Sequence, residues 1–165
     1  MVQLGQEFAA RGQWGPVVFL VVAVGGLLVV GGALAWWDAR SHLLPDRLTV
    51  ILACVLVPPL ALAALWAGEP GRVLRALAAA AVLGGLFALV HVASPRSLGF
   101  GDVKLSPVLG FLCGFLSWGH LVLAGVTACL VAGLWSGVVL ARRGRSAHVP
   151  LGPPLLAGAL AALAL

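Results

Sequence analysis

Only five of the 165 residues are acidic: Glu7, Asp38, Asp46, Glu69 and Asp102. The chain is 62% hydrophobic and 9% charged, so each carboxylate has to be accounted for, because an unpaired buried charge is strongly disfavoured. Glu7 lies in the polar stretch before the first apolar run, and Glu69 in the short turn Gly68-Glu69-Pro70-Gly71; both read as solvated. The other three sit at the edges of apolar runs. Asp38 follows Trp36-Trp37, Asp46 follows Pro45, and Asp102 follows Gly99-Phe100-Gly101. Helix capping accounts well for Asp46 and fairly for Asp102, since an aspartate at a helix start meets backbone N–H groups and the positive end of the dipole. It accounts poorly for Asp38, which would close a helix against the dipole. Two carboxyl groups brought close together cannot both ionise. One then takes a proton from water while the other, still protonated, polarises a carbonyl. This chemistry needs no metal or cofactor, and no His or Cys cluster with ligand spacing occurs to hold one. The three cysteines, Cys54, Cys113 and Cys129, lie inside apolar runs and read as buried small hydrophobes.

The elements that would position these groups follow from the bilayer. A hydrocarbon core of about 30 Å takes roughly 20 apolar residues as a helix. Uncharged or nearly uncharged runs fall near 16–37, 48–67, 73–92, 103–116, 121–140 and 149–165. The last two central runs belong to one uncharged stretch, 105–140, which would make a helix of about 54 Å, too long for one crossing. It must turn, and Ser117-Trp118-Gly119-His120 is its most polar segment. The first run is longer than a signal-peptide core and reads as a span rather than a leader. The expected fold is therefore an all-α integral membrane protein, a polytopic bundle of about six transmembrane helices forming one membrane-embedded domain over 1–165. Its first partner is the lipid bilayer. So apolar a chain is neither a soluble globular domain nor a disordered one. The net charge of +5 is spread over several loops and forms no basic face for nucleic acid.

With six crossings, one side carries Arg40, Arg47, Arg96, Lys104, Arg142, Arg143 and Arg145, and the other Arg11, Arg72 and Arg75. Seven against three places Asp38, Asp46 and Asp102 on the cytoplasmic side and both chain ends outside. Trp36, Trp37, Trp66 and Trp118 fall at expected helix ends, where interfacial tryptophans belong.

Three motifs in order then carry a resemblance. The segment from Asp38 through Pro45-Asp46 to Leu48-Thr49 resembles the first signature of the type IV prepilin peptidases: an Asp, six residues, a Pro, an Asp or Asn, and a Leu-Thr. Gly99-Phe100-Gly101-Asp102-Val103-Lys104-Leu105 resembles their second signature, Gly-x-Gly-Asp with a following Lys-Leu. Val149-Pro150-Leu151-Gly152-Pro153-Pro154-Leu155 resembles their C-terminal proline-glycine stretch. The resemblance implies an aspartyl endopeptidase of the inner membrane. It would remove the short basic leader from prepilins or pseudopilins at the cytoplasmic boundary, in type IV pilus assembly or protein secretion. Asp38 and Asp102 match the catalytic pair. Gly99, Gly101, Lys104, Pro45 and Asp46 match supporting positions, Asp46 at one where Asn also serves. The glycines would leave room for an extended substrate, and Lys104 would snorkel or bias Asp102. The sequence shows no paired C-x-x-C motifs of the bifunctional members, so it resembles the short, peptidase-only form without the N-methyltransferase region. The alternative is a non-enzymatic polytopic protein, a small transporter or assembly subunit, with the aspartates as helix caps. A transporter would place ionisable residues near the bilayer midplane, and none lies in the middle of any run.

Overall fold

The computed structural model describes residues 1–41, 45–93, 99–143 and 152–164. Among them the chain is helical throughout, with no strand. A short helix, α1 (Val2–Ala10), leads into α2 (Trp14–Gly26), which continues through a π turn (Leu27–Gly31) into α3 (Gly32–Ser41). The remaining helices are α4 (Asp46–Trp66), α5 (Pro70–Ala93), α6 (Phe100–Leu116), α7 (Trp118–Arg143) and α8 (Gly152–Ala164). Four stretches are long and apolar enough to cross a membrane: Trp14–Asp38, Asp46–Trp66, Pro70–Ala93 and Trp118–Trp135, with a shorter apolar helix at Pro153–Ala164. The protein is a polytopic, all-helical membrane protein. Pro58 and Pro59 stand inside α4 without ending it, as neighbouring helices in a bundle allow.

The helix ends show why the chain turns where it does. Gly68 has φ +74°; its N–H donates to Leu65 O at 3.1 Å, and Glu69 N–H to Ala64 O at 2.8 Å. This is a Schellman closure, and the left-handed residue at its centre has to be glycine. Gly12 closes α1 the same way, with φ +71° and bonds to Ala9 O and from Gln13 N–H to Phe8 O. Ser117 breaks the long uncharged stretch with extended backbone (φ −169°, ψ 169°). Its hydroxyl accepts the His120 N–H at 3.2 Å, which starts α7.

α6 forms the centre of the bundle, packed against α4, α5, α7 and α8. Leu105, Ser106 and every residue from Val108 to Phe115 are buried. Gly110 and Gly114 admit α5: a Cβ on Gly114 would stand 2.3 Å from the Ala79 Cβ. The far end of α6 leaves carbonyls with no partner in the helix. Arg75 of α5 donates to three of them, Gly114 O, Phe115 O and Leu116 O, each at 2.8 Å. A cation there also suits the negative end of the helix dipole.

The same end of the bundle holds Arg11, which pairs with Glu69 at 3.1 Å, and Arg72, which also binds Glu69. The Met1 amino group donates to Leu163 O at 3.4 Å, so α1 and the end of α8 meet there too. The ends of α3 and the starts of α4 and α6 lie at the opposite end.

The outer surface is as apolar as the interior, with Val29, Trp66, Leu74, Val92, Leu130 and Leu134 exposed. Two cysteines depart from expectation for this reason. Cys113 is buried, but Cys54 and Cys129 are exposed on the bundle surface. A residue facing lipid meets the same selection for apolarity as one facing protein, so composition does not distinguish the two.

Candidate active site

Asp38 lies in the last turns of α3 and Asp102 in the first turn of α6. Both are withdrawn from the surface, with 3% and 5% of their area exposed. Asp102 is the third residue after its N-cap, Gly99, whose carbonyl accepts the Asp102 N–H at 3.1 Å. From that position its carboxylate reaches back to the Gly99 N–H, half of a capping box. Asp102 Oδ1 is buried with no hydrogen-bond partner among the described residues. It is the oxygen available to hold a proton or engage a reacting group.

The charge of one aspartate acts on the other. Burial raises the Asp102 carboxyl from 3.8 to about 6; the charge of Asp38 pushes in the same direction, and the Gly99 N–H opposes both. A neighbouring carboxylate that raises a buried one is the arrangement in which two acids share a proton.

Gly99 has φ −66° and ψ 142°, a conformation open to any residue. A Cβ there would lie 3.4 Å from Asp102 Oδ2, in van der Waals contact with the carboxylate. Gly101 sits in the first turn of α6, half-buried.

Pro45 is the N-cap of α4, extended at φ −66° and ψ 121°, with no side-chain cap bond at this helix start. Asp46 is in the first turn, near the positive dipole end, but its carboxylate turns to Lys104: Nζ donates to Oδ2 at 2.7 Å. Lys104 is thus paired with Asp46, and the charge that raises Asp102 is that of Asp38. Sequence reasoning named both residues without pairing them, because no spacing signal links positions on separate helices. It did not single out Phe100. This ring lies 4.8 Å from Lys104 Nζ and 5.6 Å from the His91 ring.

No group of three or more His, Cys, Asp or Glu that could hold a metal occurs among the described residues. His42, Leu43 and Leu44 of the first motif, Arg96, and Arg145 with Val149, Pro150 and Leu151 lie outside the described residues.

A bundle of apolar helices with paired, buried carboxyls at one end defines a membrane-embedded candidate hydrolase. Residues 25–137 match the type IV leader peptidase family, and the chain belongs to that family. The match includes the first two motifs and stops short of the proline-glycine tail. Neither curated proteins nor solved structures gave a match. Family membership makes the protein a peptidase of the membrane, with prepilin leaders as the class of substrate.

Proposed function

We propose that this peptidase is an aspartyl endopeptidase in which Asp38 and Asp102 activate water to cut the short basic leader from a prepilin or pseudopilin. The observation that carries the reading is the pair itself: two buried carboxyls on separate helices, at one end of the bundle, one raising the other. Asp102, lifted to about 6, is the group that keeps a proton, and Asp38 is the base. Asp38 removes a proton from water as the oxygen attacks the scissile carbonyl. Asp102 gives its proton to the carbonyl oxygen, which leaves a neutral tetrahedral diol. Asp38, now protonated, delivers its proton to the departing amide nitrogen. Asp102 recovers a proton as the diol collapses to the new carboxyl group.

We place the site at the cytoplasmic face of the inner membrane, where seven of the ten Lys and Arg residues gather on the sequence count. A basic leader reaches such a site from the cytoplasm, while the apolar part of the substrate stays in lipid. The aspartates stand at the end of the bundle rather than halfway along it, unlike the ionisable groups of a transporter. The test is cleavage of a purified prepilin by the protein in lipid vesicles. Asp38→Asn and Asp102→Asn should each lose at least about a thousandfold in kcat, as groups acting as a unit do, while inserting at wild-type levels. Substantial cleavage by either variant sinks the pair.

A further inference from the structure

We infer that Asp46 and Lys104 form a latch that positions Asp102, by tying the first turn of α6 to the start of α4. The inference rests on the reading of Asp102 as a catalytic group. α6 starts at a glycine, which has no side chain to cap it, and the bond its Asp102 carboxylate takes from the Gly99 N–H stays within the same helix start. Its first turn needs another anchor if the Asp102 carboxyl is to keep a fixed relation to Asp38.

Lys104, two residues beyond Asp102, supplies that anchor. Its ammonium binds the Asp46 carboxylate at 2.7 Å and lies 4.8 Å from the Phe100 ring. Phe100 in turn lies tilted against the His91 ring of α5, with centroids 5.6 Å apart. The turn that carries Asp102 is thus held to α4 by charge and to α5 by ring contact. Asp46 follows Pro45, whose ring fixes φ, and stands one turn before the buried Thr49 and about two before the buried Leu52, so its backbone is held although its carboxylate is exposed. Asp102 Oδ1 has no hydrogen-bond partner among the described residues, and the carboxylate's bond from Gly99 lies within its own helix start, so its place relative to α3 follows that of the turn that carries it. The lysine acts by position, since its ammonium is turned to the Asp46 carboxylate on α4. Asp46 is therefore a positioning residue. An asparagine would also serve, because its amide oxygen still accepts from the ammonium.

The experiment is a double-mutant cycle on the whole chain in lipid vesicles, with Asp46→Ala, Lys104→Met and the double variant. Each single change should lower kcat about fivefold at unchanged KM, and the double variant should also lose about fivefold. Asp46→Asn and Lys104→Arg should keep most of the wild-type kcat. Losses that multiply to about 25-fold in the double variant would overturn the latch. So would a rise in KM at unchanged kcat, which marks a substrate contact instead.

A second readout does not depend on cleavage. A water-soluble carbodiimide with glycine amide labels accessible carboxyls, and mass spectrometry reports the rate at Asp102. That rate should rise equally in both single variants and the double. Equal labelling in all forms, wild type included, overturns the latch whatever the cleavage data. If the wild type cleaves no prepilin, the proposed function fails and the labelling still decides the latch.

Discussion

Replacing Asp38 by Asn should shift the titration of Asp102, and the shift can be read without any substrate. In the wild-type protein burial and the Asp38 charge raise the Asp102 carboxyl from 3.8 to about 6. Burial is the larger cause and the Asp38 charge the second, with the Gly99 N–H pulling the other way. Asp38→Asn removes the second cause and leaves the first. The midpoint should fall below about 6 and stay above 3.8. Infrared titration of the protonated-carboxyl band checks this, with Asp102→Asn as the spectrum to subtract. The sign carries over to catalysis. As pH rises through the raised value, the shared proton leaves and cleavage should decline; at low pH both groups are protonated and it should decline again, giving a bell. An unchanged midpoint in Asp38→Asn would mean that the carboxyls do not interact, and the paired-acid reasoning would fail. A wild-type midpoint at 3.8 would mean that Asp102 is solvated, with the same consequence.

Gly114→Ala should destabilise the bundle by about 1–3 kcal/mol, because its Cβ would press on Ala79 of α5; thermal unfolding in detergent measures it. Cleavage should persist in EDTA and after treatment with serine or cysteine reagents, since the proposed mechanism uses only carboxyls and water; inhibition by EDTA that added zinc reverses would count against it. Topology is checked with single cysteines at Arg47, exposed at the aspartate end, and at Gln6, exposed on α1 at the other, in a background lacking the three native cysteines. An impermeant thiol reagent on intact cells should label the second and spare the first until the membrane is opened. The reverse pattern would put the aspartates outside.

The class of structure and the short list of groups able to do chemistry were legible in the sequence. Apolar runs of bilayer length leave the backbone no option but helices, because every peptide group in lipid has to be satisfied within its own segment. In so apolar a chain five carboxylates are conspicuous, and the spacing around Asp38 and Asp102 matches a recognisable pair of motifs. Which groups meet was settled by packing between helices. That Asp46 holds Lys104 rather than capping α4 and that Arg75 closes the end of α6 are contacts between separate helices, and the influence of the Asp38 charge on Asp102 also runs between helices; no local periodicity encodes them. The same holds for which helix lies innermost. α6 is hardly more apolar to the eye than α5, yet it takes the centre because Gly110 and Gly114 let α5 approach closely, while α5 turns Leu74, Leu77 and Leu89 outward. Cys54 and Cys129 face outward while Cys113 faces in. In water, burial and apolarity go together and the sequence reveals the core. In a membrane both sides of a helix are apolar, so the choice of inner face falls to close packing and to the few polar groups that must find one another.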